Sequence, residues 1–342
     1  MENADWVHTT LRAAAVFVSA LVLYPAFAWI DRRAQMRPGE RAQLPRHPLL
    51  PFAFALKLLS KRAALSASAD RPLHFFAPFF GFIPGLLVLA CLPPGPTLYG
   101  ADGPLHLGVT GTDVSLPLAF GLLFLSTAGI LLAGWAGGNH LALLSAIRLG
   151  LVRLAALLVL ALGASGIVFV GGSLHFTELL GLQSAALLGP LPGWGLFRNP
   201  IGFGCAVIAL GIFGQRLAQS RPDEHAEFVA PYADEATGPT LLFHRYFEVV
   251  DLMALSAIMA TLFGGGWTLP LVDIDVHSGY SALDAGSRVL VFIVKTLVFA
   301  SSIVWIRRAL PVLRHDQAIR LLWALVPVAT LGLWLSIAIS LA

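Results

Sequence analysis

Between Gln215 and Trp267 the chain gathers side chains suited to moving protons. The segment opens QRLAQSRPDEHAEFVAPYADEATG and, after Pro239 and Thr240, runs into LLFHRYFEVVDLMALSAIMATLFGGGW. Asp223, Glu224, Glu227, Asp234 and Glu235 crowd its first part beside Arg216 and Arg221, and His244, Arg245, Glu248 and Asp251 stand at one end of its apolar second part. Ionisable groups in a bilayer are costly and usually mark an ion or substrate pathway. On a helix Asp223 and Glu227 would share a face, as would Arg245 and Glu248, and Glu248 and Asp251 lie one turn apart. Carboxylates placed this way could pass protons or exchange arginine partners. The plainer reading is a solvated acidic loop followed by an interfacial salt bridge.

The elements that must hold these residues are membrane helices. Apolar residues make up 57% of the 342 positions, charged residues only 12%, and the mean hydropathy is +0.79, outside the soluble globular range. Apolar runs of spanning length, about 20 residues each, recur at about 11–30, 73–92, 115–137, 148–171, 197–217, 244–266, 287–307 and 319–341. The first of them has an acidic start, no small-residue cleavage site and a basic segment after it, so it reads as a span and not as a signal peptide. Residues 48–62, PLLPFAFALKLLSKR, are too short and too basic at one end to span, and read as an amphipathic helix on the cytoplasmic surface. The expectation is an all-α protein: one membrane domain over 1–342, a polytopic bundle of eight transmembrane helices plus one interfacial helix.

Charge orients the bundle. Arg32, Arg33, Arg37, Arg41, Arg46, Lys57, Lys61, Arg62 and Arg71 fill the first loop, whereas 93–114 and 171–192 carry no Lys or Arg. Arg216 and Arg221 mark the fifth loop, and Arg307, Arg308, Arg314 and Arg320 the seventh. The positive-inside rule then places odd loops in the cytoplasm and both termini outside. The basic isoelectric point follows from this topology and does not call for nucleic acid. The loop 93–114 is rich in Gly and Pro and should be irregular, and Trp267 is expected at the membrane interface. Cys91 and Cys205 stand alone in apolar spans. Two thiols are too few for an iron–sulfur cluster, which needs about four ligands, so any redox cofactor belongs to partner chains.

Several runs, in order, resemble the NuoH family of bacterial complex I, the proton-translocating NADH–quinone oxidoreductase. IVKTLVFASSIVWIRRALPVLRHDQAIRLLWALVPVA at 293–329 is similar to the family's Lys-Thr helix, Ile-Arg end, Leu-Pro and Arg-aromatic-Asp-Gln turn, with Lys295, Arg307, Arg314, Asp316 and Gln317 in place and His315 where the aromatic would stand. LAGWAGGNHLALLSAIR at 132–148 and ALSAIMATLFGGGWTLP at 254–270 match two further runs. PDEHAEFVAPY at 222–232 corresponds to the family's acidic loop, keeping Glu227 and Tyr232, with Asp223 for the first carboxylate and His225 for the second. Glu235 and Glu248 fall on later Glu positions, and Asp31, Arg32, Arg33, Arg41 and Arg46 on the first-loop pattern. The fourth helix departs from it: the family's Ser-Tyr-Glu reads Ala155-Ala156-Leu157 here, and Ala218, Gln219 and Ser220 replace Pro, Phe and Asp.

The resemblance implies a subunit that binds no cofactor itself, forms part of the chamber for its substrate quinone, and joins the redox arm to the membrane arm. NADH, FMN and iron–sulfur clusters would sit in partner subunits, and the partners would be the hydrophilic iron–sulfur arm, antiporter-like membrane subunits and the lipid bilayer. No activity is expected of the chain alone. Asp31, Arg32, Arg41, Arg46, Arg216, Asp223, Glu227 and Glu235 would serve quinone binding and coupling, and Glu248 and Asp251 proton relay. Leu157 can neither carry a proton nor order water, so the fourth-helix relay would reroute through Glu248 and Asp251 or be lost. Two alternatives share parts of this pattern: the membrane anchor of a group 4 membrane-bound hydrogenase or formate hydrogenlyase-type complex, and a stand-alone ion transporter. The transporter calls for internal inverted repeats, and none is evident.

Overall fold

The structure, a computed structural model, describes residues 14, 16–20, 22–30, 50–62, 68–96, 98–100, 103–105, 114–188, 191–215, 236–269, 282–309 and 313–341. Its elements in chain order are α1 (Val16–Ile30), α2 (Leu50–Leu59), α3 (Arg71–Cys91), β1 (Leu98–Gly100), β2 (Gly103–Leu105), α4 (Ser115–Ala136), α5 (His140–Gly171), α6 (Phe176–Ser184), β3 (Ala186–Leu188), β4 (Leu191–Pro192), α7 (Gly195–Arg198), α8 (Pro200–Gln215), α9 (Pro239–Leu262), α10 (Ala282–Ala309) and α11 (His315–Leu341). Helices dominate because a backbone in lipid must bond internally. Among the described residues the strands form two short antiparallel pairs, β1–β2 and β3–β4.

Among the described residues five helices are long and apolar enough to cross a membrane: α3, α4, α5, and the apolar parts of α10 and α11. α1 and α8 are apolar but shorter. α9 is 24 residues long, and every 18-residue stretch of it carries Arg245, Glu248 and Asp251. It is also the most enclosed element, since every residue from Val249 to its end at Leu262 is buried, as is the turn that follows to Thr268. A helix buried on all sides needs no apolar stripe, which is why its charges can face other helices.

Local signals set the helix ends. Asp70 caps α3 by accepting from the Leu73 N–H at 3.3 Å, and Asn139 caps α5 by accepting from the Leu141 N–H at 3.0 Å. That cap starts α5 at His140, ahead of the expected 148, and shortens the preceding connection to the turn around Gly138, whose φ is +67°. The Asp70 N–H donates to Ala136 O at 3.0 Å, joining the start of α3 to the end of α4. At the opposite end the Leu116 N–H donates to Leu174 O and the Leu196 N–H to Phe263 O. Successive spans therefore run up and down. α3 and α4 cross closely at glycine, because a Cβ on Gly129 would run into the Gly81 backbone.

α2 forms where the amphipathic helix was expected, with Ala55 and Leu58 packed near Leu242 of α9 and with Leu56 and Leu59 exposed. Two other expectations change. The 93–114 connection is not wholly irregular, since it contains the β1–β2 pair. Trp267 is not an interfacial aromatic: it is fully buried. Gly265 and Gly266 both adopt positive φ, +69° and +53°, and turn the chain back into the bundle so that the indole follows it inward.

Candidate functional site

Glu248 and Asp251 occupy neighbouring turns of α9 and meet different surroundings. Glu248 accepts from Arg245 Nη1 at 3.0 Å, within the helix, with side chains 12% and 34% exposed. Arg245 and Glu248 thus pair as their spacing predicts. His244 is buried on the same turn.

Asp251 is wholly enclosed, and its partner comes from another helix. The Arg153 guanidinium of α5, itself fully buried, donates through Nη2 to Asp251 Oδ2 as an ion pair. Ser126 of α4 stands between them. Its hydroxyl is placed to donate to Leu123 O at 2.8 Å or to Asp251 Oδ1 at 3.5 Å, and accepts from Arg153 Nη2 at 3.5 Å. Phe213 of α8 and Phe247 of α9 pack on the guanidinium, their ring centroids 4.2 Å and 5.3 Å from Cζ. α3 approaches through Gly85, where an added Cβ would lie 3.8 Å from Asp251 Oδ1. Five helices therefore converge on one charged pair.

The ion pair is the feature the sequence reading passes over. Arg153 stands five positions after Arg148, where a span taken to begin at 148 makes both look like flanking charges. In the structure Arg153 is the fourteenth residue of a 32-residue helix. It lies one turn before Leu157, on the same face. Leu157 and Ala156 are completely buried. The fourth-helix position that lacks a carboxylate thus has a cation one turn away. The available signal was an arginine inside an apolar run at bilayer depth.

A second polar knot closes the opposite end of α9. Lys295 of α10 donates to Gly264 O at 2.7 Å and Thr268 O at 2.6 Å, and its Nζ lies 4.2 Å from the centroid of Trp194. Gln183 accepts from the Gly195 and Gly265 N–H groups, each at 3.1 Å, and donates to Thr261 O at 3.1 Å. These bonds satisfy backbone groups that the paired glycines release from the helix. Where α1 meets α9, Tyr24 stacks on Tyr246 with centroids 4.1 Å apart. Asp31, Arg32, Arg41, Arg46, Arg216, Asp223, Glu227 and Glu235 lie outside the described residues.

Comparison with known proteins adds a family. A family model described as NADH dehydrogenase matches residues 11–337. The chain is 32% identical to the H subunit of NADH-quinone oxidoreductase from Thermomicrobium roseum, across 97% of this chain and 96% of that protein. It is 32% identical to the second H subunit of NADH-quinone oxidoreductase from Geobacter sulfurreducens, across 96% and 91%. With the H subunit from Bdellovibrio bacteriovorus the identity is 28%, across 92% and 90%.

Proposed function

The chain belongs to the NADH dehydrogenase family, together with the H subunits of NADH-quinone oxidoreductases, and from that premise we propose that it is the membrane subunit of a proton-translocating NADH–quinone oxidoreductase. On this reading residues 1–342 form one eight-span membrane domain in the cell inner membrane, both termini periplasmic. The domain forms part of the quinone chamber and ties the iron–sulfur arm to the antiporter-like subunits. The partner chains' NADH, FMN and iron–sulfur clusters supply the electrons. This chain contributes walls, positive charge and proton-bearing carboxylates.

Reducing a quinone to the quinol takes two electrons and two protons, so negative charge arrives at the chamber and protons must follow it. Asp31, Arg32, Arg41, Arg46 and Arg216 would line the cytoplasmic mouth. Asp223, Glu227 and Glu235 would respond to the charge by exchanging arginine partners. Glu248, held by Arg245 at the rim of the buried stretch of α9, would pass protons inward toward Asp251, one turn or about 4.5 Å farther along the axis. The observation that carries the proposal is the family match over nearly the whole chain. The enclosed carboxylate on α9 supports its proton-handling part.

Gentle purification of the tagged protein should recover iron–sulfur and antiporter-like chains with NADH-dependent quinone reduction. In that complex Glu248→Gln should keep electron transfer and lose proton translocation. Unchanged pumping in this variant would remove Glu248 from the route, and a lone, iron-free protein would overturn the assignment altogether.

A further inference from the structure

We propose that the junction around Arg153 is a hydrated proton-holding site, in which internal water bonds the guanidinium and Asp251 is the group that gains and releases the proton. The inference rests on the reading that protons cross this bundle, and it concerns one place on their path.

The starting observation is an incomplete set of hydrogen bonds. An arginine carries five N–H donors and no acceptor, and it stays charged. Arg153 is fully buried, and among the described residues only its Nη2 has partners, Asp251 and Ser126. Nε and Nη1 are buried and have none. The phenyl rings of Phe213 and Phe247 attract the cation through their faces, but they cannot accept the N–H groups as an oxygen would. Buried polar groups left without a partner are rare, and ordered water is the usual answer where several polar atoms converge. Here the converging atoms are Nε and Nη1 of Arg153, the Ser126 hydroxyl and the Asp251 carboxylate.

Water at this place changes what the ion pair can do. A dry guanidinium–carboxylate pair is a fixed strut. With water on the guanidinium, a proton that Glu248 releases can be relayed through that water to the Asp251 carboxylate, so that Glu248 is left as the carboxylate and Asp251 becomes the acid while Arg153 keeps its charge and its solvent. The pair thereby passes from neutral to a net charge of +1, which the water and the two phenyl faces around Arg153 solvate, and release of the proton from Asp251 to the next water restores the neutral pair. The groups facing Asp251 are Ser126 on α4 and Arg153 on α5, with the Gly85 backbone on α3, Phe247 on α9 and Phe213 beside the guanidinium on α8. Glu248 sits one turn away on α9 itself. Arg153 shares a face with Leu157, so the site stands beside the position where the fourth helix has no acid of its own.

The test uses the assembled, purified complex. A cryo-EM map fine enough to show ordered water is examined at Arg153, and infrared difference spectra on quinone reduction are recorded in H2O and D2O. The expected result is water within about 2.7–3.2 Å of Nε and Nη1, with a carboxyl band that shifts in D2O and disappears in Asp251→Asn. Where Asp251→Asn fails to assemble, Asp251→Glu assigns the same band by moving it. Ser126→Ala should weaken or shift the band while the complex still forms. A dry guanidinium, or an Asp251 whose vibrations ignore both D2O and quinone reduction, overturns the proposal. Water and an exchanging Asp251 in a complex that does not pump would sustain the site and refute the function proposed above.

Discussion

Removing the two members of the buried pair singly and together should give losses of very different size. The asymmetry follows from their chemistry. Asp251→Leu leaves a fully buried arginine that cannot shed its charge, with, among the described residues, the Ser126 hydroxyl at 3.5 Å and two phenyl faces for company. Breaking a buried ion pair from one side costs about 3–5 kcal/mol. Arg153→Met leaves a carboxylate, which can take a proton and become neutral, so the loss falls to that of a poorly satisfied polar group, about 1–3 kcal/mol. Arg153→Met with Asp251→Leu removes both charges from an apolar junction, and replacements of that kind are often neutral or stabilising. The expected order of stability is the double variant near wild type, then Arg153→Met, then Asp251→Leu. Internal water at the guanidinium would shrink the largest loss without changing the order.

A loss of about 3 kcal/mol exceeds a hundredfold in an equilibrium ratio, since about 1.4 kcal/mol is tenfold. The difference is therefore readable as the fraction of the protein recovered in the assembled complex, and as the midpoint of thermal inactivation in mild detergent. A double variant that simply adds the two single losses would show that the residues act independently. Equal single losses would show that the arginine is solvated well enough to stand alone. Either result refutes the reasoning.

Lys295→Met should destabilise by about 1.5–3 kcal/mol, the scale of bonds from a charged donor, because it frees the Gly264 and Thr268 carbonyls at the end of α9; limited proteolysis near that turn reads it. Arg245→Gln should change stability by only about 0.3–0.5 kcal/mol, as for other short-range helix pairs at partial exposure, so any large effect on proton pumping in it reports function and not folding. Gly129→Val should cost at least about 1–3 kcal/mol through overpacking, since the nearest atoms are the Gly81 backbone and cannot rotate away; the yield of assembled complex measures it.

What was legible in the sequence was what depends on local pattern. Helices overlap each expected span, and among the described residues five of them are long and apolar enough to cross a membrane, because apolar runs impose helices on any backbone that must satisfy itself in lipid. The Arg245–Glu248 pair was legible for the same reason, since spacing of three on one helix decides it. Arg153 was not legible, because its meaning depends on two facts that lie elsewhere. Asn139 sets the start of α5 early enough to carry Arg153 to the interior. Asp251, 98 positions later, supplies the countercharge. Trp267 misled for the opposite reason: an aromatic at the end of an apolar run usually marks an interface, and only the positive φ of both Gly265 and Gly266 shows that the run ends inside the protein. Depth here is set by which helix ends are capped and which turn inward, not by position along a span. On the stretch of α9 from Val249 to Leu262, buried throughout, an acid is enclosed by its neighbours wherever it falls. Its role then follows from the partner it meets, and for Asp251 that partner is a cation with donors to spare.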